Sequence, residues 1–382
     1  MLKQQTLFIA TALIAAGVTA ARAQAEPIFE PAAAATVAAD GAVYTASNEA
    51  NHNQIVAFRR SATGALTFLN TYSTGGRGAG GAVDPLQSQN SLLLSPDHKF
   101  LFAVNAGSGT ISIFKVASNQ TLSLITQVAS GGGFPVGLAI HDNLLYVLNA
   151  GGAGNVTGFW LKPDGHLQPI QGATHLLTGA SAGGASIDFS PDGQTLAVTE
   201  RLNNLIDTFT IGPAGGIVAA TTTPSHGNVP FSLAFTRQGA LVVAEAGGNP
   251  AGGSALSSYL LQSDDTLTVS SASVPTGFNA ACWIIVSDNG KFAFSSNAGS
   301  GQISTASIGK YGELSIVGAA PTGPGTVPID IALSANSKFL YALTAGKGTV
   351  TGFRVNGNGS LTPVTAVGAL PAASGQNGIA AY

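Results

Sequence analysis

One phrase recurs seven times along this chain. Each unit runs through an apolar strand, a polar turn, a second apolar strand ending in a polar residue, a Gly-rich loop, a third strand, a turn and a fourth strand. The second strands show it best: 43–48 (VYTASN), 101–105 (LFAVN), 145–149 (LYVLN), 196–200 (LAVTE), 241–245 (LVVAE), 292–297 (FAFSSN) and 340–344 (LYALT). From Asn48 to Thr344 the steps are 57, 44, 51, 45, 52 and 47 residues. These sit near the blade period of β-propellers, about 40–50 residues. The strands are short, β-branched or aromatic, and bounded by turn formers. Ser95-Pro96-Asp97, Ser190-Pro191-Asp192-Gly193 and Asn356-Gly357-Asn358-Gly359 are such turns. Their Asp/Asn-Gly pairs supply the positive φ that tight hairpins need. No amphipathic helix is evident. The expected fold is all-β, a seven-bladed propeller of four-stranded antiparallel blades.

Ring closure is also legible. The first unit opens directly with its second strand, Ala42 to Ser47, and the chain ends in Gly378-Ile379-Ala380-Ala381-Tyr382, which resembles the missing first strand. Pairing the two would shut the ring and remove an exposed sheet edge.

The N-terminus reads as a secretory signal over residues 1–23. Lys3 precedes an apolar core from Thr6 to Ala20, and Ala21-Arg22-Ala23 and Ala23-Gln24-Ala25 are small-x-small cleavage sites. The alternative is an N-terminal membrane anchor. Residues 24–40 read as an Ala/Pro-rich lead-in and 41–382 as the propeller. Export to the periplasm or the medium is expected, with no membrane span after cleavage. Only 9% of residues are charged and the net charge is -3, against about a quarter charged in ordinary soluble chains. There is no basic run, and so no electrostatic footprint for nucleic acid. Cys282 is the only cysteine, which excludes an intramolecular disulfide and fits a buried, inert thiol. No metal-ligand motif stands out, and no cofactor is expected. The chain is expected to act as a monomer.

In a four-stranded blade, loops one–two and three–four share one face. His98, His141 and His166 fall there, at polar hairpin tips. The opposite face takes the two–three loops and the crossovers between blades. It collects Glu49, His52, Arg77, Gln89, Asn90, Asn105, Asn149, Glu200, Arg201, His226, Asn228, Glu245, Asn279 and Asn297, with Asp330 in the first strand of the seventh blade. A concave channel mouth is a natural ligand site. Arg77, Asn90, Asn105, Asn149, Asn297 and Asp330 are the candidate ligand-binding residues; the alternative for the repeated Asn is bonding of loop backbone at the strand end. Glu200 and Glu245 break the Asn pattern in neighbouring blades. With Arg201 and His226 they form the candidate catalytic set, a carboxylate base beside an oxyanion-holding guanidinium. The alternative is a surface ion pair and a solvated loop histidine.

The phrases LSPDHKFLFAVN (94–105), FSPDGQTLAVTE (189–200) and GTISIFKV (109–116) resemble the seven-bladed β-propeller lactonase family, over about Gly41 to Tyr382. That family includes bacterial 6-phosphogluconolactonase and fungal carboxymuconate cyclase. The resemblance implies lactone hydrolysis, or the reverse cyclisation, without a metal. Family members often carry Pro-His or Arg-His where a blade's first strand begins. Here those starts read Gln89-Asn90-Ser91, Gly184-Ala185-Ser186 and Val229-Pro230-Phe231-Ser232, without histidine. The expected function is an exported lactonase acting on a small lactone or cyclic ester. The alternative is a non-catalytic propeller that binds a small ligand or a protein of the cell envelope.

Overall fold

The computed structural model describes residues 39–249, 253–368 and 370–382. The proposed signal and most of the lead-in lie outside them. The strands form seven four-stranded antiparallel sheets. Six blades are contiguous in sequence. The seventh sheet is blade 1, which joins Ile379–Ala381 to Ala39–Ala46, Gln54–Ser61 and Leu66–Ser73. Val43, Tyr44 and Thr45 pair with Ala381, Ala380 and Ile379. Tyr382 N and Asn377 N extend the ladder to Ala42 O and Ala46 O. The innermost strand of blade 1 is therefore the C-terminal strand, as the sequence predicts. The first described strand begins at Ala39, two residues before the expected boundary.

Local chemistry explains the hairpins. Ser95 Oγ donates to Asp97 Oδ1 at 2.7 Å and accepts Phe100 N at 3.0 Å, closing the turn from both sides. Ser190 does the same with Asp192 and Thr195, Ser287 with Asn289 and Phe292, and Ser334 with Asn336 and Phe339.

Blades are stapled to their neighbours by hydroxyls that reach the three–four turn of the next blade. Tyr44 Oη donates to Gln120 O, Tyr146 Oη to Gly215 O, Thr208 Oγ1 to Asp265 O, Ser258 Oγ to Gly312 O, Thr305 Oγ1 to Gly359 O and Tyr341 Oη to Gly64 O. Gly64 lies so close to the Phe339 ring, at φ +86°, that a Cβ would come within 2.4 Å of it. Only glycine fits that approach. Every pairing of a third with a fourth strand also breaks register at least once. Such bulges twist the outer edge away from flat pairing with another chain.

The axis is where structure and expectation part. The sequence suggests an open channel, yet the long crossover from blade 1 to blade 2 fills it. Trp283 Nε1 donates to Ser88 O at 2.8 Å. The Gln89 side chain pairs with Ile284, donating to its O at 2.7 Å and accepting its N–H at 3.0 Å. Gln89 N reaches Ala185 O, Ser88 Oγ reaches Val136 O, and Asn90 O accepts Leu138 N. One segment thus bonds the inner strands of blades 3, 4 and 6. Ala185, Phe231, Cys282 and Trp283 pack beside it in one apolar cluster.

Candidate functional site

The polar ends of the second strands are buried, not presented to a cavity. Asn105 accepts Asn53 Nδ2 and Thr74 Oγ1 and donates to Thr110 and Ser112. Asn149 donates to Ser130 O and Asn155 Oδ1, and Asn297 to Ser295 O, Gln302 O and Ser304 Oγ. All three side chains are fully buried. The two glutamates occupy the same place. Glu200 Oε1 accepts Thr178 N at 2.6 Å, and its Oε2 accepts Asn203 Nδ2 at 2.7 Å. Glu245 accepts Gly227 N at 2.9 Å and Ser273 Oγ at 2.8 Å. Burial raises the pKa of Glu200, and the adjacent Asp207 carboxylate raises it further.

Among the described residues, the four residues grouped from sequence fall into separate sets of contacts. Glu200 and Glu245 hold separate sets of partners. His226 is exposed, 3.5 Å from Ser273 Oγ on the Glu245 side. Arg201 is close enough to Asp84 for that carboxyl to raise its pKa. Register alone led to the grouping. It aligns strand ends around the ring, but burial turns both carboxylates inward onto the loops.

Other candidates scatter. Arg77 and Asn279 are exposed, as is Asn228, and Glu49 pairs with His52 at 3.0 Å. Gln89 and Asn90 belong to the axial plug. Asp330 is fully buried on an inner-strand bulge at φ +47°. Burial pushes its pKa far up, against the amides of Ile331, Ile379 and Asn90, and its Oδ2 has no partner among the described residues.

A different pair lies at or beside a cavity. Arg201 lines a pocket of about 360 Å³ on the crossover face, with Leu86, Gln87, Phe134, Ser181 and Leu202 among its walls. The guanidinium is half-buried, and its Nε is buried without a hydrogen-bond partner among the described residues. Burial lowers its pKa, an effect that Asp84 partly offsets. Asp84 immediately precedes the lining residue Pro85 and sits at φ +45°. Its Oδ1 accepts Gln87 N at 3.0 Å and Asn377 Nδ2 at 3.1 Å. Burial raises its pKa to about 7; the bonds from Asn377 and Gln87, then the Arg201 charge, pull the other way. A carboxyl titrating there is suited to general base chemistry at neutral pH, and a guanidinium nearby, its Nε unpartnered among the described residues, can hold an anion. Sequence reading found Arg201 but missed Asp84. Its only local signal, Asp-Pro in a Gly-rich crossover, is that of an ordinary turn. Among the described residues no group of three or more His, Cys, Asp or Glu is placed to hold a metal ion, and no helix is long and apolar enough to cross a membrane.

A family model described as lactonase, 7-bladed β-propeller, matches residues 82–174, 142–247 and 256–374. Among solved structures, a candidate 6-phosphogluconolactonase from Bacteroides uniformis superposes with a TM-score of 0.70 at 19% identity, covering 90% of this chain and 99% of that one. The periplasmic gluconolactonase of Pseudomonas aeruginosa gives 0.67 at 18% identity, covering 89% and 98%. At these identities the likeness is one of fold. Uncharacterized proteins of Staphylococcus aureus are 44% identical over 69 residues, 17% of this chain. The match spans only 20% of the length of those curated relatives.

Proposed function

We propose that this chain, which belongs to the seven-bladed β-propeller lactonase family, is an exported hydrolase that opens a small lactone at the Asp84–Arg201 pocket. The observation that carries this reading is a half-buried carboxyl with a pKa of about 7 near a guanidinium whose Nε has no hydrogen-bond partner among the described residues, at the edge of a ligand-sized cavity. Asp84 Oδ2 takes a proton from water as its oxygen attacks the lactone carbonyl. Arg201 stabilises the tetrahedral oxyanion. Collapse breaks the ring C–O bond, and the proton on Asp84 passes to the departing alkoxide, giving the hydroxy acid. Export rests on the Lys3 and Thr6–Ala20 pattern, and the Pseudomonas protein named periplasmic is in keeping with it.

The test is a lactone-hydrolysis screen on purified protein, followed by proton release, with Asp84→Asn as control. Hydrolysis that the variant loses supports the proposal. Absence of turnover on sugar, aliphatic and carboxylated lactones alike overturns it, as does an equally active variant. The filled axis favours a second reading, a binding propeller of the cell envelope, which predicts a saturable ligand without turnover.

A further inference from the structure

We propose that Asn377, carried on the ring-closing segment, is a positioning residue for Asp84. The inference rests on the reading of Asp84 as the base. The crossover bearing Asp84 is held at two points by residues that lead into the final strand. Gly375 N donates to Ala82 O at 2.7 Å, and Asn377 Nδ2 donates to Asp84 Oδ1 at 3.1 Å. The closing segment is itself anchored to blade 1, by Asn48 Nδ2 to Gly375 O at 2.9 Å and by Asn377 N to Ala46 O at 3.3 Å. The Asn377 side chain is 1% exposed, so its amide has little freedom to turn away.

The placement has a chemical consequence. The hydrogen bonds to Asp84 from Gln87 N and from Asn377 Nδ2 fall on Oδ1, and the Ser88 amide adds a smaller interaction. They help to fix the carboxyl plane. Donation to the ionised form also opposes the burial that raises the pKa of Asp84. The base is thus complete only when the first and last parts of the chain have met.

The experiment follows the Asp84 carboxyl carbon by 13C NMR against pH without substrate, its resonance identified by its loss in Asp84→Asn. It therefore reports whether or not a lactone is turned over. Asn377→Ala should move the Asp84 midpoint upward by about one pH unit. Asn377→Asp keeps the shape and replaces the donor with a second acid, and it should also move the midpoint upward. Ile379→Ala weakens closure by trimming a buried side chain of the final strand; it should lower the melting temperature while leaving the midpoint in place. In an active enzyme, Asn377→Ala should lower kcat at pH 7 about fivefold, the fraction ionised falling from a half to a tenth, with KM little changed and the rate recovered at higher pH. An unmoved midpoint in both Asn377 variants overturns the proposal, as does an equal movement in Ile379→Ala.

Discussion

The Glu200 carboxylate accepts the backbone N–H of Thr178 at 2.6 Å, a bond that ties the end of one blade's second strand to the crossover arriving from the blade before. Glu245 holds Gly227 in the same way. Asn48 holds Gly375, Asn149 holds Ser130 and Asn105 holds Thr74. The position is a latch that recurs around the ring. Asn and Glu both serve because each can bond the crossover: Asn48 and Asn149 donate their amides to its carbonyls, Asn105 accepts its hydroxyl, and the longer acids accept its backbone amides.

Glu200 is therefore expected to govern stability. Glu200→Ala leaves the Gly179 amide and the Asn203 side chain without this acceptor and leaves the Thr178 amide only Asp207 Oδ2, and should cost about 2 kcal/mol in urea unfolding. Glu200→Gln keeps an acceptor for Thr178 and mimics the protonated acid toward Asp207. The pKa of Glu200 is raised in the folded state. Its contribution is fully present below the ordinary glutamate value of 4.5 and is lost as pH rises through the raised folded value. The wild-type protein should lose stability over that rise, and Glu200→Gln should remove part of the slope. Unchanged pH dependence in Glu200→Gln would refute the coupling.

Asp84→Asn should separate activity from stability. Loss of the base should lower kcat at least about 100-fold. The folded-state pKa of Asp84 is raised from 3.8 to about 7. The stability this confers is present below 3.8 and lost as pH climbs through about 7, because the fold resists ionising a desolvated carboxyl. An asparagine cannot ionise, so the variant should unfold at higher temperature than wild type above pH 7. Calorimetry at pH 5 and pH 8 compares the two.

Arg201→Met should impair catalysis without weakening the fold. Its guanidinium is desolvated, and its Nε has no hydrogen-bond partner among the described residues, so melting temperature should hold or rise. Loss of the oxyanion partner should reduce kcat/KM about 100-fold or more. The cation also lowers the Asp84 pKa. The acidic limb of the pH–rate profile should therefore move upward in the variant, an effect that a purely steric role for Arg201 would not produce.

The ring was legible because its information is periodic. Strand, turn and strand-end residue recur in each unit, and the unpaired first strand stood out as a gap that Ile379–Ala381 fills. The site was hidden for the opposite reason. Residues 74–91 belong to one crossover with no counterpart in other units, and the partners of Gln89 and Asp84 lie 195 and 293 residues away. No local pattern announces contacts of that range. Glu200 and Glu245 misled because they depart from the Asn seen in other blades, which looks like function until burial shows the shared latch.

Deleting Gly378–Tyr382 should open the ring. The deletion removes the inner strand of blade 1 with its pairing to Val43, Tyr44 and Thr45. Buried Ile379 and Ala380 go with it. Tyr382 O accepts Arg60 Nε at 3.0 Å, and the Tyr382 ring stacks on His98 of the next blade at 4.8 Å. Each loss is modest; together they expose the inner edge of the first Ala39–Ala46 sheet, whose freed amides and carbonyls can pair with another chain. The expected outcome is a melting temperature lowered by at least about 10 °C, with aggregation on heating. Restoring the residues as a separate peptide should recover part of the loss if strand pairing is the cause. A truncated protein with the wild-type melting temperature would mean that the other blade contacts suffice to hold the ring shut.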